Sequence, residues 1–383
     1  MSKVLLALYA AIFLDLVGFG MMFPDVQLRA EALGARGWLI GLILASYYIV
    51  QTIASPRWGA LSDRLGRKPA LIACGTISAL SMVVYALGNN VWWMLASRAV
   101  AGLGAANVVI AQAIASDQTE GEARSIAQGR ISAAISAGLV LGPALGGVLG
   151  HFGDSRLMGL VAACFSLVGT LWIAFVLPKT PSTKAEKSDE TSKDALPWDG
   201  ILPLLLVASL GWLALAFLEG TFGRLLERTL GLGRLEFGLI LALDGIAAVL
   251  QGAFFPVLVK RNSPQKLLRI AFLLQAVGLA SIPFAHHLWL LISLNALFGI
   301  GVGLASPTIN ALASQLAAPE RQGIVFGRLQ SARSVGFLFG PIIGGALFDL
   351  GYSLPYLLAG GLALFAAAIG YDASRGRRSL TPT

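Results

Sequence analysis

An all-α membrane protein with twelve transmembrane helices in two parallel six-helix repeats is what this sequence predicts, and three observations predict it. The chain is 383 residues long, 56% hydrophobic and 13% charged, with a mean hydropathy of +0.76, too apolar for an ordinary soluble domain. Apolar stretches of roughly 18–25 residues, the length that crosses a bilayer, recur from end to end. Blocks of sequence also return at a nearly constant offset. Gly41-Leu42-Ile43-Leu44-Ala45 comes back as Gly238-Leu239-Ile240-Leu241-Ala242, and Arg98-x-x-x-Gly102-x-Gly104 as Asn295-x-x-x-Gly299-x-Gly301. One position further out of step, Gly138-x-x-x-Gly142-Pro143-x-x-Gly146-Gly147 returns as Gly336-x-x-x-Gly340-Pro341-x-x-Gly344-Gly345. Repeats of this kind imply two halves related about the membrane normal, with a substrate site at the midplane.

Taken in order, the spans are expected at roughly 5–26, 38–56, 70–88, 92–115, 131–150, 157–177, 199–221, 237–259, 268–285, 288–312, 331–348 and 354–371. The first reads as a retained span and not a cleaved signal peptide, because so many equivalent segments follow it. No targeting peptide or lipidation motif is apparent. Between the second and third spans runs Gly59-Ala60-Leu61-Ser62-Asp63-Arg64-Leu65-Gly66-Arg67-Lys68-Pro69, a polar connection too short for anything but a hairpin. Asp63 and Arg67 stand four residues apart, within pairing reach if the run begins as an extension of the preceding helix, and the two glycines permit a tight turn. Its cations place that end on the cytoplasmic face. With both termini on that side, the outer segments hold only Arg29, Arg36, Arg156, Arg224, Arg228 and Arg234 of the 28 lysines and arginines, Arg98 lies within a span, and the rest are inner. The low-complexity stretch 179–197, rich in Ser, Thr, Lys and acidic residues, reads as a cytoplasmic linker. It separates an N-terminal half, 1–178, from a C-terminal half, 198–383.

Four ionisable residues sit well inside spans: Asp15, Arg98, Glu219 and Asp244. Each costs at least about 2.5 kcal/mol at the bilayer centre, so each is expected to face the bundle interior or a wet cavity. Asp15, with Gly18 on the same helical face, reads either as a proton carrier or as an Asp bonded to a neighbouring helix. Arg98 keeps its proton and can only set the field for a group that does not, or pair with a carboxylate to hold two helices. Glu219 reads as a coupling or substrate group, against a plain pairing near Arg224. Asp244 follows the repeated Gly-Leu-Ile-Leu-Ala and stands where the first half has Tyr47; it is a possible partner for a cationic substrate. Asp117, at the inner end of the fourth span, can complete a charge chain with Asp63 and Arg67, or be a solvated helix end. Pro143 and Pro341 remove backbone donors among glycines, giving spans that pack closely and can bend. Candidate substrate-lining residues are Phe19, Met22, Tyr47, Tyr48, Asn107, Gln112, Trp212 and Asn310.

The eleven positions from Gly59 to Pro69 resemble the signature loop between helices two and three of the major facilitator superfamily. The wider blend is similar to the tetracycline-resistance type of twelve-helix drug/proton antiporter. The resemblance covers nearly the whole chain and implies the major facilitator fold. It implies a gating role for Gly59, Asp63, Arg64, Gly66 and Arg67, with Asp117 as candidate partner; because cytoplasmic charges pair only when the inner side is shut, the cluster is expected to latch the outward-facing state. Asp15 resembles the first-helix acidic motif of such antiporters, and Arg98 matches a helix-four arginine tied to proton coupling. Gly138 through Gly147 resembles the fifth-helix motif associated with export. The third span departs from the pattern, since 70–88 holds no carboxylate and only Tyr85 as a sizeable polar group, which argues against tetracycline itself.

The implied function is proton-coupled efflux of amphipathic small molecules by alternating access, in a multi-pass protein of the cell inner membrane, with lipids around it and a monomeric state. Within transport the alternative is a metabolite or lipid uniporter or symporter, whose site would use Asn107, Gln112, Gln275 and Asn310. No cofactor or metal is implied: Cys74 and Cys164 lie inside spans without ligand spacing, and no P-loop is present, so an ion gradient is the expected energy source. His151, His286 and His287 fall in expected outer loops. The net charge of +8 sits in short loops where orientation explains it, so nucleic acid is not an expected partner. Gly299-Ile300-Gly301-Val302-Gly303 has no preceding strand and reads as helix packing. With no His-Glu-x-x-His and no Ser/His pair in the spans, an enzyme is not expected. A polytopic receptor or scaffold fits the composition but not the internal repeat with its buried charges.

Overall fold

The computed structural model describes residues 3–178, 198–316 and 322–375, all of it helix, turn or short connection. The stretch 179–197, expected as a linker, lies outside the described residues. The chain runs through α1 (Lys3–Met21), α2 (Phe23–Ala32), α3 (Gly37–Leu65), α4 (Arg67–Leu87), α5 (Val91–Gly104), α6 (Asn107–Asp117), α7 (Gly121–Phe152) and α8 (Ser155–Val176). It continues through α9 (Trp198–Leu230), α10 (Arg234–Arg261), α11 (Pro264–Ser281), α12 (Leu288–Leu316), α13 (Gln322–Leu350) and α14 (Leu354–Arg375). Since α1 with α2 and α5 with α6 each make one interrupted rod, twelve rods correspond to the twelve expected spans. Among the described residues ten are long and apolar enough to cross a membrane, and Leu354–Gly370 is a shorter apolar helix.

Several rods outrun the expected spans. Helix α7 has 32 residues, about 48 Å at 1.5 Å per residue, against a hydrocarbon core of about 30 Å. His151, expected in a loop, belongs to its last turn. The polar run after the second span is helical up to Leu65, and the whole turn into α4 is Gly66, whose φ of 97° favours glycine. The first span, expected to end near residue 26, breaks at Met22 and resumes as α2, started by Pro24. Side-chain caps fix three starts: Asn90 accepts from Trp93 N, Asp154 from Leu157 N and Ser263 from Lys266 N.

Two compact units emerge. The first comprises Met1–Ala35, Leu42–Asp189 and Leu232–Gly245; the second comprises Arg36–Gly41, Glu190–Gly231 and Ile246–Thr383. Within the first, α1 packs on α7 and α8, and α4 packs on α5 and α8. Within the second, α9 packs on α13 and α14, and α11 packs on α12 and α14, the same pattern one repeat later. The correspondence reaches single atoms. A Cβ on Gly104 would meet Cys74 O at 2.7 Å, and one on Gly301 would meet Ala271 O at 2.5 Å, both pairs 197 residues apart. Buried apolar side chains fill each unit, Leu8, Ile12, Ile110 and Ile173 in the first and Leu204, Phe272, Ile309 and Leu329 in the second. Large apolar side chains such as Phe175 and Trp289 are left exposed, as a lipid-facing surface requires.

Candidate functional site

Asp15 is 8% exposed and is held by other helices of the first unit. Ser166 Oγ on α8 donates to Oδ1 at 2.6 Å, and the Asn107 side-chain amide on α6 donates to Oδ2. Ser78 on α4 bonds the same carboxyl. Asp15 thus ties α1 to α4, α6 and α8. Asn107 is spent in the process, because its Oδ1 accepts from Val108 N at 2.7 Å. It lines none of the described cavities. Gln112 has its backbone carbonyl taken by the Gln128 amide at 2.8 Å.

Arg98, expected either to set the field for a titrating group or to pair with a carboxylate, has no carboxylate partner among the described residues. It is 4% exposed, its Nε makes no hydrogen bond, and Nη2 reaches Ser97 Oγ at 3.4 Å. With Phe19, Met22, Tyr47 and Tyr48 it lines a small cavity of about 20 Å³. The rings are organised: Phe19 and Tyr47 lie 4.8 Å apart between centroids, and Tyr47 and Tyr48 meet edge to face at 5.1 Å. Four of the candidate lining residues and Arg98 therefore share one space.

Two cavities lie in the second unit. One of about 20 Å³ is walled by Trp212, Leu215, Phe272, Gln275 and Ser306; its neighbour of about 230 Å³ is lined by Trp212, Asn310, Phe326, Gln330 and Arg333. The Arg333 guanidinium stacks over Trp212 at 4.6 Å, a cation–π contact. Arg333 is also the charge that acts on Glu219. Arg224, the partner in the alternative reading of Glu219, has its Nη2 3.0 Å from Asp349 Oδ1. Asp244 is half-buried on α10 and lines none of these cavities.

At the Gly66 turn, Arg67 Nη1 lies 2.6 Å from Asp63 Oδ1, Arg67 Nε lies 3.2 Å from Asp117 Oδ2, and Arg67 also donates to Ser62 Oγ at 2.8 Å. The Asp63 pairing bridges two helices across the turn and does not run along one helix. All members come from α3, α4 and α6 of the first unit, so the triad closes without any side chain of the second. Arg64 is exposed, and a side chain at Gly59 would meet open space.

The glycine–proline stretches are contact surfaces. On α7 a Cβ at Gly138 would lie 2.7 Å from the Leu16 side chain, and one at Gly142 would lie 2.6 Å from Val17 O; Gly146 abuts the Met21 backbone. On α13, Gly336 and Gly340 face Trp212, Leu213 and Ala216 of α9 in the same way. The prolines meet the other repeated block: Gly238 lies against Pro143, and Gly41 against Pro341. Both helices continue through their prolines.

One polar centre gave no clear sequence signal. Asp25, on α2, is 0% exposed. Tyr85 Oη donates to its Oδ2 at 2.6 Å and Ser155 Oγ to its Oδ1 at 2.9 Å. Arg234 Nε, at the start of α10, lies 2.5 Å from Oδ1, an ion pair whose N–H is not aligned on the oxygen. Arg29 closes the end of α4 by donating to Tyr85 O at 2.8 Å and Gly88 O at 2.5 Å. In the second unit Asp349 plays the comparable part, accepting from Gly37 N at 2.6 Å as well as from Arg224.

No group of three or more His, Cys, Asp or Glu among the described residues could hold a metal ion. Comparison with known proteins agrees with the architecture. The Multidrug resistance protein 2 of Bacillus subtilis is 29% identical over 371 residues, covering 94% of this chain and 92% of that protein. The Quinolone resistance protein NorA of Staphylococcus aureus is 27% identical over 380 residues, 96% of each chain. A bacterial homologue of the human lysosomal transporter Spinster superposes with a TM-score of 0.82 at 15% identity over all of both chains, a likeness of fold. The Major Facilitator Superfamily profile matches residues 8–282 and 204–379, and the chain belongs to that superfamily of membrane transporters.

Proposed function

We propose that the protein is a proton-coupled exporter of amphipathic small molecules that works by alternating access of its halves, 1–178 and 198–383, joined by the 179–197 linker. The observation that carries this reading is Arg333 stacked over Trp212 at the cavity they share, with the carboxylate of Glu219 within reach of its charge. Such a pair lets a proton compete with a bound solute. When Glu219 is charged it neutralises Arg333; when it takes a proton, Arg333 is released to a different partner, and the balance of charge in the cavity changes. The names of the relatives, multidrug resistance and quinolone resistance proteins, support export of foreign compounds.

In this reading Asp15 and Arg98 set the electrostatics of the first half, Asp244 is a secondary acidic site, and Phe19, Met22, Tyr47, Tyr48, Trp212 and Asn310 contact substrate. The Asp63–Arg67–Asp117 triad stiffens the turn between α3 and α4 as part of the gate. The distribution of basic residues supports a cell inner membrane protein with both termini cytoplasmic, functioning as a monomer in lipid. A metabolite or lipid uniporter or symporter is the second reading, favoured by the polar Ser306, Asn310 and Gln330 on the α9–α12–α13 cavity.

Purified protein in liposomes tests the choice. With an imposed proton gradient, addition of a fluorescent amphipathic compound collapses the gradient while the compound accumulates on the acidic side. Equilibration of solute with no proton movement would replace the antiporter by the uniporter.

A further inference from the structure

Along α3 the side chains of Val50, Ile53, Arg57 and Leu61 follow one another at steps of three and four residues, so they share one face. With Trp58, and with Leu103 of α5, they wall a groove of about 310 Å³. The groove has a fixed side. The run of α5 into α6 is interrupted after Gly104, which leaves the Leu103 carbonyl among the unpaired acceptors of a helix end, and Trp58 Nε1 donates to it at 2.7 Å. Ile53, Leu61 and Leu103 are exposed, and Arg57 is the charged member of an otherwise apolar lining. Arg57 turns one N–H back to Ile53 O at 2.9 Å and keeps the rest of its guanidinium free. Arg64, seven residues on and on the same face, is exposed as well. Among the described residues neither has an acidic partner, whereas Arg67 of the same run holds two, Asp63 and Asp117.

We propose that this groove binds an anionic phospholipid of the cytoplasmic leaflet, with its phosphate on Arg57 and an acyl chain along Ile53, Val50 and Leu103. The second apolar stretch of the sequence ends at residue 56, so Arg57 and Trp58 stand at the membrane boundary, where lipid phosphates lie and where arginine and tryptophan anchor a helix. Val50, seven residues earlier, is about 10 Å deeper at 1.5 Å per residue. A charge at the boundary with an apolar lining running inward from it repeats the order of groups in a phospholipid. A zwitterionic headgroup brings its own cation to Arg57 and gains less, and a soluble anion leaves the apolar lining uncovered. Arg64 adds a second positive charge on the headgroup side. The inference goes beyond the export reading and takes from it only the orientation that makes this boundary the cytoplasmic one; its test measures binding without transport.

The probes are phosphatidylglycerol and phosphatidylcholine with the same brominated acyl chains, each added in rising mole fraction to the full-length protein in vesicles of unbrominated phosphatidylcholine. Bromine quenches a tryptophan that it touches, and the signal of Trp58 is the difference between wild type and Trp58→Phe. Phosphatidylglycerol is expected to quench that signal at a mole fraction about fivefold lower than phosphatidylcholine, the scale of one basic side chain at an anionic surface. Arg57→Gln should bring the two lipids together, and Ile53→Phe, which fills the groove, should weaken both. Lys266→Gln removes one exposed charge at the start of α11 and should leave the preference as it is. Equal quenching by the two lipids in wild type, no quenching of Trp58 by either, a preference that survives Arg57→Gln, or undiminished quenching in Ile53→Phe would overturn the inference. So would a loss in Lys266→Gln as large as in Arg57→Gln, which marks diffuse attraction in place of a site. Displacement of the brominated lipid by glycerol 3-phosphate, which carries the charge without the chains, would overturn it too. If Trp58→Phe does not fold, native mass spectrometry of wild type and Arg57→Gln with the two lipids counts the lipid retained and decides. A preference for phosphatidylglycerol in a protein that moves no protons with any solute would sink the exporter reading and leave this site standing.

Discussion

Replacing Asp25 by alanine should destabilise the protein more than any other single change of a carboxylate in the first unit. The side chain is 0% exposed and collects three partners: Tyr85 Oη at 2.6 Å, Ser155 Oγ at 2.9 Å and Arg234 Nε at 2.5 Å. Alanine leaves the Tyr85 hydroxyl, itself fully buried, without an acceptor and strands Arg234 beside it. Removing one partner of a buried pair costs about 3–5 kcal/mol. Arg234 keeps 30% of its side-chain surface in solvent, so water recovers part of the loss and the lower end, about 3 kcal/mol, is the expected value. Asp25→Asn keeps the shape and one acceptor and should lose about half as much. Thermal or denaturant unfolding of the purified protein in mild detergent measures both. A double-mutant cycle with Tyr85→Phe should give a coupling of about 1–2 kcal/mol, since the two groups touch. An Asp25→Ala protein within about 0.5 kcal/mol of wild type, or additivity with Tyr85→Phe, would refute the reasoning.

Other perturbations separate packing from function. Gly142→Leu should prevent folding or cost more than about 3 kcal/mol by forcing α1 from α7, whereas Gly129→Ala, with open space around it, should be tolerated; expression and melting temperature compare the two. Arg67→Ala breaks two half-exposed ion pairs, so its stability should fall by only about 0.2–1 kcal/mol, while substrate efflux from cells should drop severalfold if the turn belongs to the gate. Asp15→Leu leaves the buried Ser166 hydroxyl and Asn107 amide without their acceptor and should cost about 2–4 kcal/mol in an unfolding curve; Asp15→Asn, which keeps one acceptor, should cost less than half of that.

The fold was legible because a bilayer constrains sequence so strongly. Apolar runs of spanning length, a turn that needs glycine at 66, and glycine–proline blocks repeated at one offset all correspond to features in place. Features that depend on a distant partner were not legible. Helix α2 runs past the first expected span, through residues 27–32 that read as a loop, and Asp25 and Arg29 on it find Tyr85, Gly88 and Arg234. No local pattern links Asp25 to a residue on α10. Nothing local in the sequence links Asn107 to Asp15 or Arg224 to Asp349, the contacts the folded chain makes. Arg98 is the reverse case. The sequence leaves open whether it sets the field or pairs with a carboxylate, and the side chains that share its cavity are Phe19, Met22, Tyr47 and Tyr48.

The most direct measurement is of protons and solute together. Protein reconstituted in liposomes with a pH-sensitive dye inside is given an amphipathic substrate under an imposed gradient, and wild type is compared with Glu219→Gln. The account predicts that wild type moves protons against substrate in a fixed ratio, and that Glu219→Gln still binds the substrate but moves no protons with it. Unchanged proton movement in Glu219→Gln would contradict the role given to the pair with Arg333, and substrate flux without proton movement in wild type would contradict the coupling altogether.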